Sequence, residues 1–187
     1  SVTDAAIMLG AIAGDMIGSV FEYSNFKSKD FPLFCEDSTF TDDTVLTVAV
    51  AHAIMTDGDY ASALKSFGLK YPRRGYGGFF QDWLESSKSK PYNSWGNGSA
   101  MRVSPVGFAF DSVEEVLDEA KKSAEVTHNH PEGIEDEVRL LQHMFFENWL
   151  NDLHILFIEE THNRFFDQRT FTFQERILLS ANHVFSQ

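Results

Sequence analysis

Apolar residues near the start of the chain are spaced for a helix from Ala5 to Phe21, rich in small side chains. Gly10, Gly14 and Gly18 recur every four positions and share one face. Such a stripe admits another backbone or a ligand at close range, at a helix-propensity cost of about 1 kcal/mol per glycine. Asp15 lies among apolar neighbours and needs a partner, and with the shortness of the run it argues against a dimer face in lipid. Glu22 follows roughly two turns later. The two carboxylates look the same way if the helix continues; the competing reading of Glu22 is a solvated helix end. Ser24 to Ser38 has no clean period and is expected to be a loop.

Next, Phe40-Thr41-Asp42-Asp43-Thr44 runs straight into the apolar segment Val45 to Met55. Val45, Leu46, Val48, Ala49, Ala51, Ile54 and Met55 cover nearly the whole circumference of a helix, which predicts a central position. Asp57-Gly58-Asp59 ends that helix and starts another, Tyr60 to Leu69. Tyr71 to Gly78 is turn-rich, and Phe79 to Leu84 reads as one or two helical turns anchored by Trp83. Val103 to Phe110 is short and apolar. Ser112-Val113-Glu114-Glu115 is a capping box that opens an amphipathic helix from Ser112 to Glu125.

After Gly133 the pattern changes, because all 12 glycines and all 5 prolines lie in residues 1–133. Helices are expected at Ile134 to Leu150, Leu153 to Glu160 and Thr172 to Phe185. The chain therefore divides into a helical core, 1–133, and a divergent helical segment, 134–187. Phe145, Phe146, Trp149, Phe157, Phe165 and Phe166 suit the second segment to a partner interface, including a homo-oligomeric one.

A length of 187 residues supports a sizeable core, and a formal net charge of −13 argues against a nucleic-acid backbone or an anionic membrane as main partner. Cys35 is the single cysteine, which excludes an intrachain disulfide and a Cys-based zinc cluster. No basic leader precedes a cleavage site, and no apolar run reaches about 18 residues. A soluble protein of the reducing cytoplasm is the expectation.

Two stretches carry chemistry. Asp42 and Asp43 repel each other, and burying either alone is costly. A hard divalent cation relieves both problems, since Mg²⁺ takes carboxylate, hydroxyl and water oxygens. The alternative is an Asp/Thr cap on the helix's free N–H groups. In Ser94 to Arg102, Gly96-Asn97-Gly98 permits positive φ and exposes N–H groups to a phosphate or ribose oxygen. A helix beginning at Ser99 would point its N-terminus the same way; the competing reading is a hairpin-like turn. Thr127-His128-Asn129-His130-Pro131-Glu132 invites a zinc reading, but no closed ligand shell is evident. A histidine that serves a ligand or the site's loop is the better reading.

Four motifs in order, Gly14 to Glu22, Phe40 to Thr44, Gly96 to Arg102 and Thr127-His128, resemble those of the ADP-ribosylglycohydrolases over about residues 7 to 133. The resemblance implies an all-α domain that binds ADP-ribose over a two-Mg²⁺ centre and hydrolyses ADP-ribose from arginine, serine or related linkages. Thr41, Asp42 and Asp43 match amino-terminal metal ligands, and Glu22, with Asp43, matches the catalytic carboxylates. Phe21, Ser94, Trp95, Gly96, Asn97, Gly98, Ser99, Met101 and His128 match substrate-binding positions. Asp15 matches a supporting carboxylate rather than a ligand. The family's carboxyl-terminal Gly-Asp-x-Asp-Ser/Thr element has no counterpart here. That departure, with the loss of glycine and proline after residue 133, implies a truncated or frame-shifted derivative. Two functions then compete: a Mg²⁺-dependent hydrolase impaired by the missing ligands, and a catalytically inactive ADP-ribose-binding or interaction protein.

Overall fold

The computed structural model describes residues 2–24, 26–28 and 30–131, with side chains from residue 8 onward. The helices expected between 134 and 187, their aromatic interface and the division at residue 133 lie outside the described residues. Among those described, every regular element is helical, in agreement with the all-α expectation. In order they are α1 (Val2–Gly18), a 3-10 turn Ser19–Phe21, α2 (Asp42–Met55), α3 (Tyr60–Lys70), α4 (Gly78–Glu85), a second 3-10 turn Ala100–Arg102, α5 (Val106–Ala109) and α6 (Val113–Glu125). None of the described helices is long and apolar enough to cross a membrane.

Helix α2 is central, as its unbroken apolar surface predicts. Val45, Leu46, Thr47, Ala49, Val50 and Ala53 are buried, and α1, α3, α5 and the second 3-10 turn pack around it. It starts where Thr41 leaves helical geometry and accepts a hydrogen bond from the Asp43 N–H. At its far end the N–H groups of Thr56 and Gly58 both reach the Ala53 carbonyl, and Gly58 takes φ +74°. A residue with a Cβ adopts that left-handed conformation only at a cost.

Asp59 caps α3 by accepting from the Ser62 N–H at 3.0 Å. Close contact between α3 and α4 depends on Gly68: a Cβ there would meet Leu84 Cδ2 at 2.7 Å. Lys65 of α3 donates to the carbonyls of Trp83 at 2.7 Å and Ser86 at 2.5 Å, closing the exposed end of α4. The Ser112 hydroxyl accepts from the Glu115 N–H at 3.2 Å and donates to its carboxylate at 2.8 Å, so α6 opens at the predicted capping residue.

The structure decides one conditional reading. No α-helix begins at Ser99; a three-residue 3-10 turn stands there instead. Pro105 lacks an N–H and disfavours helical geometry at Ser104, and Arg102 is wholly buried toward α6. The helix-terminus contribution expected at that loop is therefore absent.

Candidate active site

The end of α1, the start of α2 and the loops before α4 and α5 meet around one cleft. Asp15, 7% exposed, holds the acidic turn. Its Oδ1 accepts from the Thr41 hydroxyl at 2.6 Å. Its Oδ2 accepts from the Thr41 N–H at 2.8 Å, the Thr44 N–H at 3.2 Å and the Thr44 hydroxyl at 2.5 Å. The partner that Asp15 needs is thus the N-terminus of α2, where the helix's unsatisfied N–H groups and its dipole favour a carboxylate. Capping there is shared by Asp15 and Thr41, so the Asp42 and Asp43 side chains are not its main agents.

Those two carboxylates face the consequences of crowding. Burial is the largest cause that raises Asp42 to about 6, with the charges of Glu22 and Asp15 adding to it and the N–H groups of Asp42 and Asp43 opposing it. Asp43 is raised to about 8, again by burial first, then by the charges of Asp42, Asp15 and Glu22. The turn-rich loop completes this wall. The Asp42 N–H donates to the Arg74 carbonyl at 2.7 Å. The Arg74 guanidinium lies 3.7 Å over the Phe40 ring and donates to Thr39 Oγ1 and the Phe40 carbonyl. Gly75 takes φ +96°, and a Cβ there would come within 3.3 Å of Asp42 Oδ1. Arg73, at φ 61°, is also left-handed, which places backbone strain beside the acidic turn.

The cleft has a volume of about 770 Å³ and is lined by Phe21, Glu22, Thr41, Asp42, Asp43, Asn97 and Met101 among the predicted residues. Asp15, Gly14 and Gly18 also line it, so the glycine stripe of α1 opens onto a ligand-sized space. At its mouth Phe21 stacks on Phe26, with ring centroids 4.8 Å apart, and meets Phe31 edge-on. Ser94, Trp95, Gly96, Gly98, Ser99 and His128 are outside the cleft lining: Trp95 is 69% exposed, while Ser99 and His128 are buried. They form the support of the loop that carries Asn97. The Ser94 N–H donates to the Thr127 carbonyl at 3.3 Å, and a Cβ on Gly98 would touch the His128 ring at 3.3 Å.

Gly75 and Gly77 line the cleft without having been singled out beforehand. Their signal was present in the Arg74-Gly75-Tyr76-Gly77-Gly78 run, but a turn-rich stretch does not announce what it turns against.

Residues 5–140 match the model of the ADP-ribosylglycohydrolase family. The chain belongs to that family. An ADP-ribosylhydrolase ARH3 of Gallus gallus is 29% identical over 164 residues, covering 67% of this chain and 45% of that protein. The ARH3 of Xenopus tropicalis is 27% identical over 151 residues, 65% of this chain and 43% of its own length. The human ARH3 is 27% identical over 157 residues, with coverage of 65% and 43%. The chain thus spans less than half the length of these relatives. Among the described residues, no group of three or more His, Cys, Asp or Glu side chains is placed to hold a metal ion. The donors at the acidic turn nevertheless suit a hard cation. Asp42 and Asp43 offer carboxylate oxygens whose mutual repulsion a cation relieves, and Thr41 Oγ1 keeps one lone pair beyond its bond from Asp43 N–H.

Proposed function

We propose that this chain is a Mg²⁺-dependent ADP-ribosyl hydrolase, acting on ADP-ribose carried by an arginine or serine side chain or on a related ADP-ribosyl compound. The observation that carries the reading is the convergence of Asp42, Asp43 and Glu22 on one cleft, in a chain of the ADP-ribosylglycohydrolase family. That its relatives are ADP-ribosylhydrolases supports the substrate class.

Thr41, Asp42 and Asp43 would hold the cation, which supplies positive charge beside the sugar hydroxyls when bound. Breaking the anomeric bond leaves oxocarbenium character on the ribose. Glu22, exposed at the cleft, takes the proton of the attacking water and passes it to the carrier side chain as that side chain's bond to the ribose breaks. Asp43 orients the reacting groups from the same cleft. Asn97 and Met101 contact the ligand from the second loop, and Phe21 closes the cleft's mouth beside it. Ser94, Trp95, Gly96, Gly98, Ser99 and His128 shape that loop.

The test is release of ADP-ribose from arginine- and serine-linked peptides, with Mg²⁺ and with EDTA. Release that needs the cation and disappears in Asp42→Asn supports the proposal. A folded protein that releases nothing from either linkage, yet binds ADP-ribose in titration, is a binder and overturns it.

A further inference from the structure

Behind the Gly96–Gly98 turn lies a buried polar chain that the hydrolytic reading does not use. Arg102, wholly buried, donates from Nη2 to the Ser123 carbonyl at 3.0 Å and to Thr127 Oγ1 at 2.8 Å. The first bond ties the guanidinium to the last turn of α6, where a cation is favoured. Thr127 Oγ1 in turn lies 2.7 Å from His128 Nδ1. His128 is 2% exposed, and its Nε2 is buried without a hydrogen-bond partner of good geometry.

Donor and acceptor roles along this chain are constrained. Arginine only donates, so Thr127 Oγ1 must accept from Arg102. The Thr127 proton then has two acceptors: His128 Nδ1 at 2.7 Å, or the Ala124 carbonyl at 3.5 Å. The 2.7 Å contact is made in either tautomer, and the Arg102 cation on the same hydroxyl favours one of them. It polarises the Thr127 proton toward the ring and favours a lone pair, not an N–H, on the ring nitrogen that faces it. Donation to Nδ1 makes that nitrogen the acceptor and leaves the ring hydrogen on Nε2.

The surroundings of Nε2 agree. A Cβ on Gly98 would lie 3.6 Å from it, so the atom abuts the turn. The Gly96 backbone favours the protonated ring, which only an acceptor, its carbonyl, can do. Burial and the Arg102 charge meanwhile hold the imidazole down to about 4, so the ring is neutral at ordinary pH.

We propose that Arg102 and Thr127 are positioning residues that hold His128 as the neutral Nε2–H tautomer, a buried donor turned on the Gly96–Gly98 turn. Resting on the ADP-ribose reading, this gives the turn a fixed backing against which it closes when an acceptor-rich ligand occupies the cleft. Long hydrogen bonds in a ligand-free site commonly tighten in this way.

Nitrogen-15 NMR of the histidine side chains, with the His128 signals assigned by their loss in His128→Gln, reads the tautomer without any ligand. The expected result is an unprotonated Nδ1 and a protonated Nε2 in the wild type and in Thr127→Ser. In Thr127→Val the two tautomers mix, and the dissociation constant for ADP-ribose weakens about fivefold to tenfold, the size of one neutral hydrogen bond. A merely structural threonine would cost stability without moving the tautomer. A protonated Nδ1 in the wild type overturns the proposal, as does an unchanged tautomer in Thr127→Val. If Thr127→Val does not fold, the wild-type spectrum decides alone. Failure of the wild type to bind ADP-ribose overturns the functional reading and leaves the tautomer result standing.

Discussion

At the start of α2, three carboxylates crowd one turn: Asp15 is hydrogen-bonded to both threonines, and Asp42 and Asp43 are pushed up to about 6 and about 8. Around the end of α6, Arg102, Thr127 and His128 form a hydrogen-bonded chain whose imidazole is pushed down to about 4. Both clusters are polar and shielded; the first lines the cleft, and the second lies behind the turn that carries Asn97. In the first, burial and neighbouring like charges both disfavour the ionised carboxylates, the condition that the proposed cation would relieve. The second links donors to acceptors, and His128 Nε2 lies against the turn at Gly98. Burial penalises charge in both, yet only the first has a form that a bound ion would favour.

The comparison breaks most visibly if the acidic turn proves idle. Asp42→Asn or Asp43→Asn is expected to lower Mg²⁺-dependent ADP-ribose release by about 100-fold or more, measured as initial rate at saturating substrate. Unchanged rates would leave the cluster a structural cap. Asp15→Ala should destabilise the fold by about 3 kcal/mol in denaturant titration, because it strands the Thr41 and Thr44 donors.

Opposite pH responses sharpen the contrast. For Asp42 and Asp43 the folded pKa values exceed the unfolded value of 3.8, so the folded state keeps protons that the unfolded state has released. Their contribution to stability is therefore lost as pH rises from about 4 toward 8, on the order of a few kcal/mol without a cation. For His128 the folded value lies below 6.5, so its contribution is lost as pH falls from 6.5 toward 4. Melting temperatures in EDTA should decline on both sides, Asp43→Asn flattening the alkaline arm and His128→Gln the acidic one. Added Mg²⁺ should raise the melting temperature more at pH 8 than at pH 5.

Smaller effects test how local the acidic turn is. Gly75→Ala forces a Cβ into left-handed geometry 3.3 Å from Asp42 Oδ1 and should cost about 1–2 kcal/mol, with weaker Mg²⁺ binding by calorimetry. Gly68→Ala crowds Leu84 away from both clusters and should cost a net of about 1 kcal/mol, once its better helix propensity is counted. Release of ADP-ribose per folded molecule should be unchanged there. A fall would mean that α3–α4 packing reaches the site.

Much of the fold was legible from local pattern. The central position of α2, the break at Asp57-Gly58-Asp59 and the capping box at Ser112 all follow from residues close in sequence. The site was legible in part: Phe21, Glu22, Thr41, Asp42, Asp43, Asn97 and Met101 do meet at one cleft. Whether a helix begins at Ser99 was left open by the local pattern; a 3-10 turn forms instead, with Arg102 buried and a proline at 105. His128 is buried against Gly98, behind the loop and outside the cleft lining.

By itself, the sequence determined which segments coil, where α2 and α6 begin, and that two adjacent carboxylates would be set against an apolar helix. These depend on hydrophobic period, capping chemistry and charge, all of which act within a few residues. Only the tertiary structure decided that Asp15 clasps the Thr41–Thr44 turn, that the Arg74 carbonyl holds Asp42, and that Arg102 reaches Thr127. Those partners are 26, 32 and 25 positions apart. A hydrogen bond between distant residues requires the intervening core to bring them together, and no local pattern encodes which buried donor will find which acceptor.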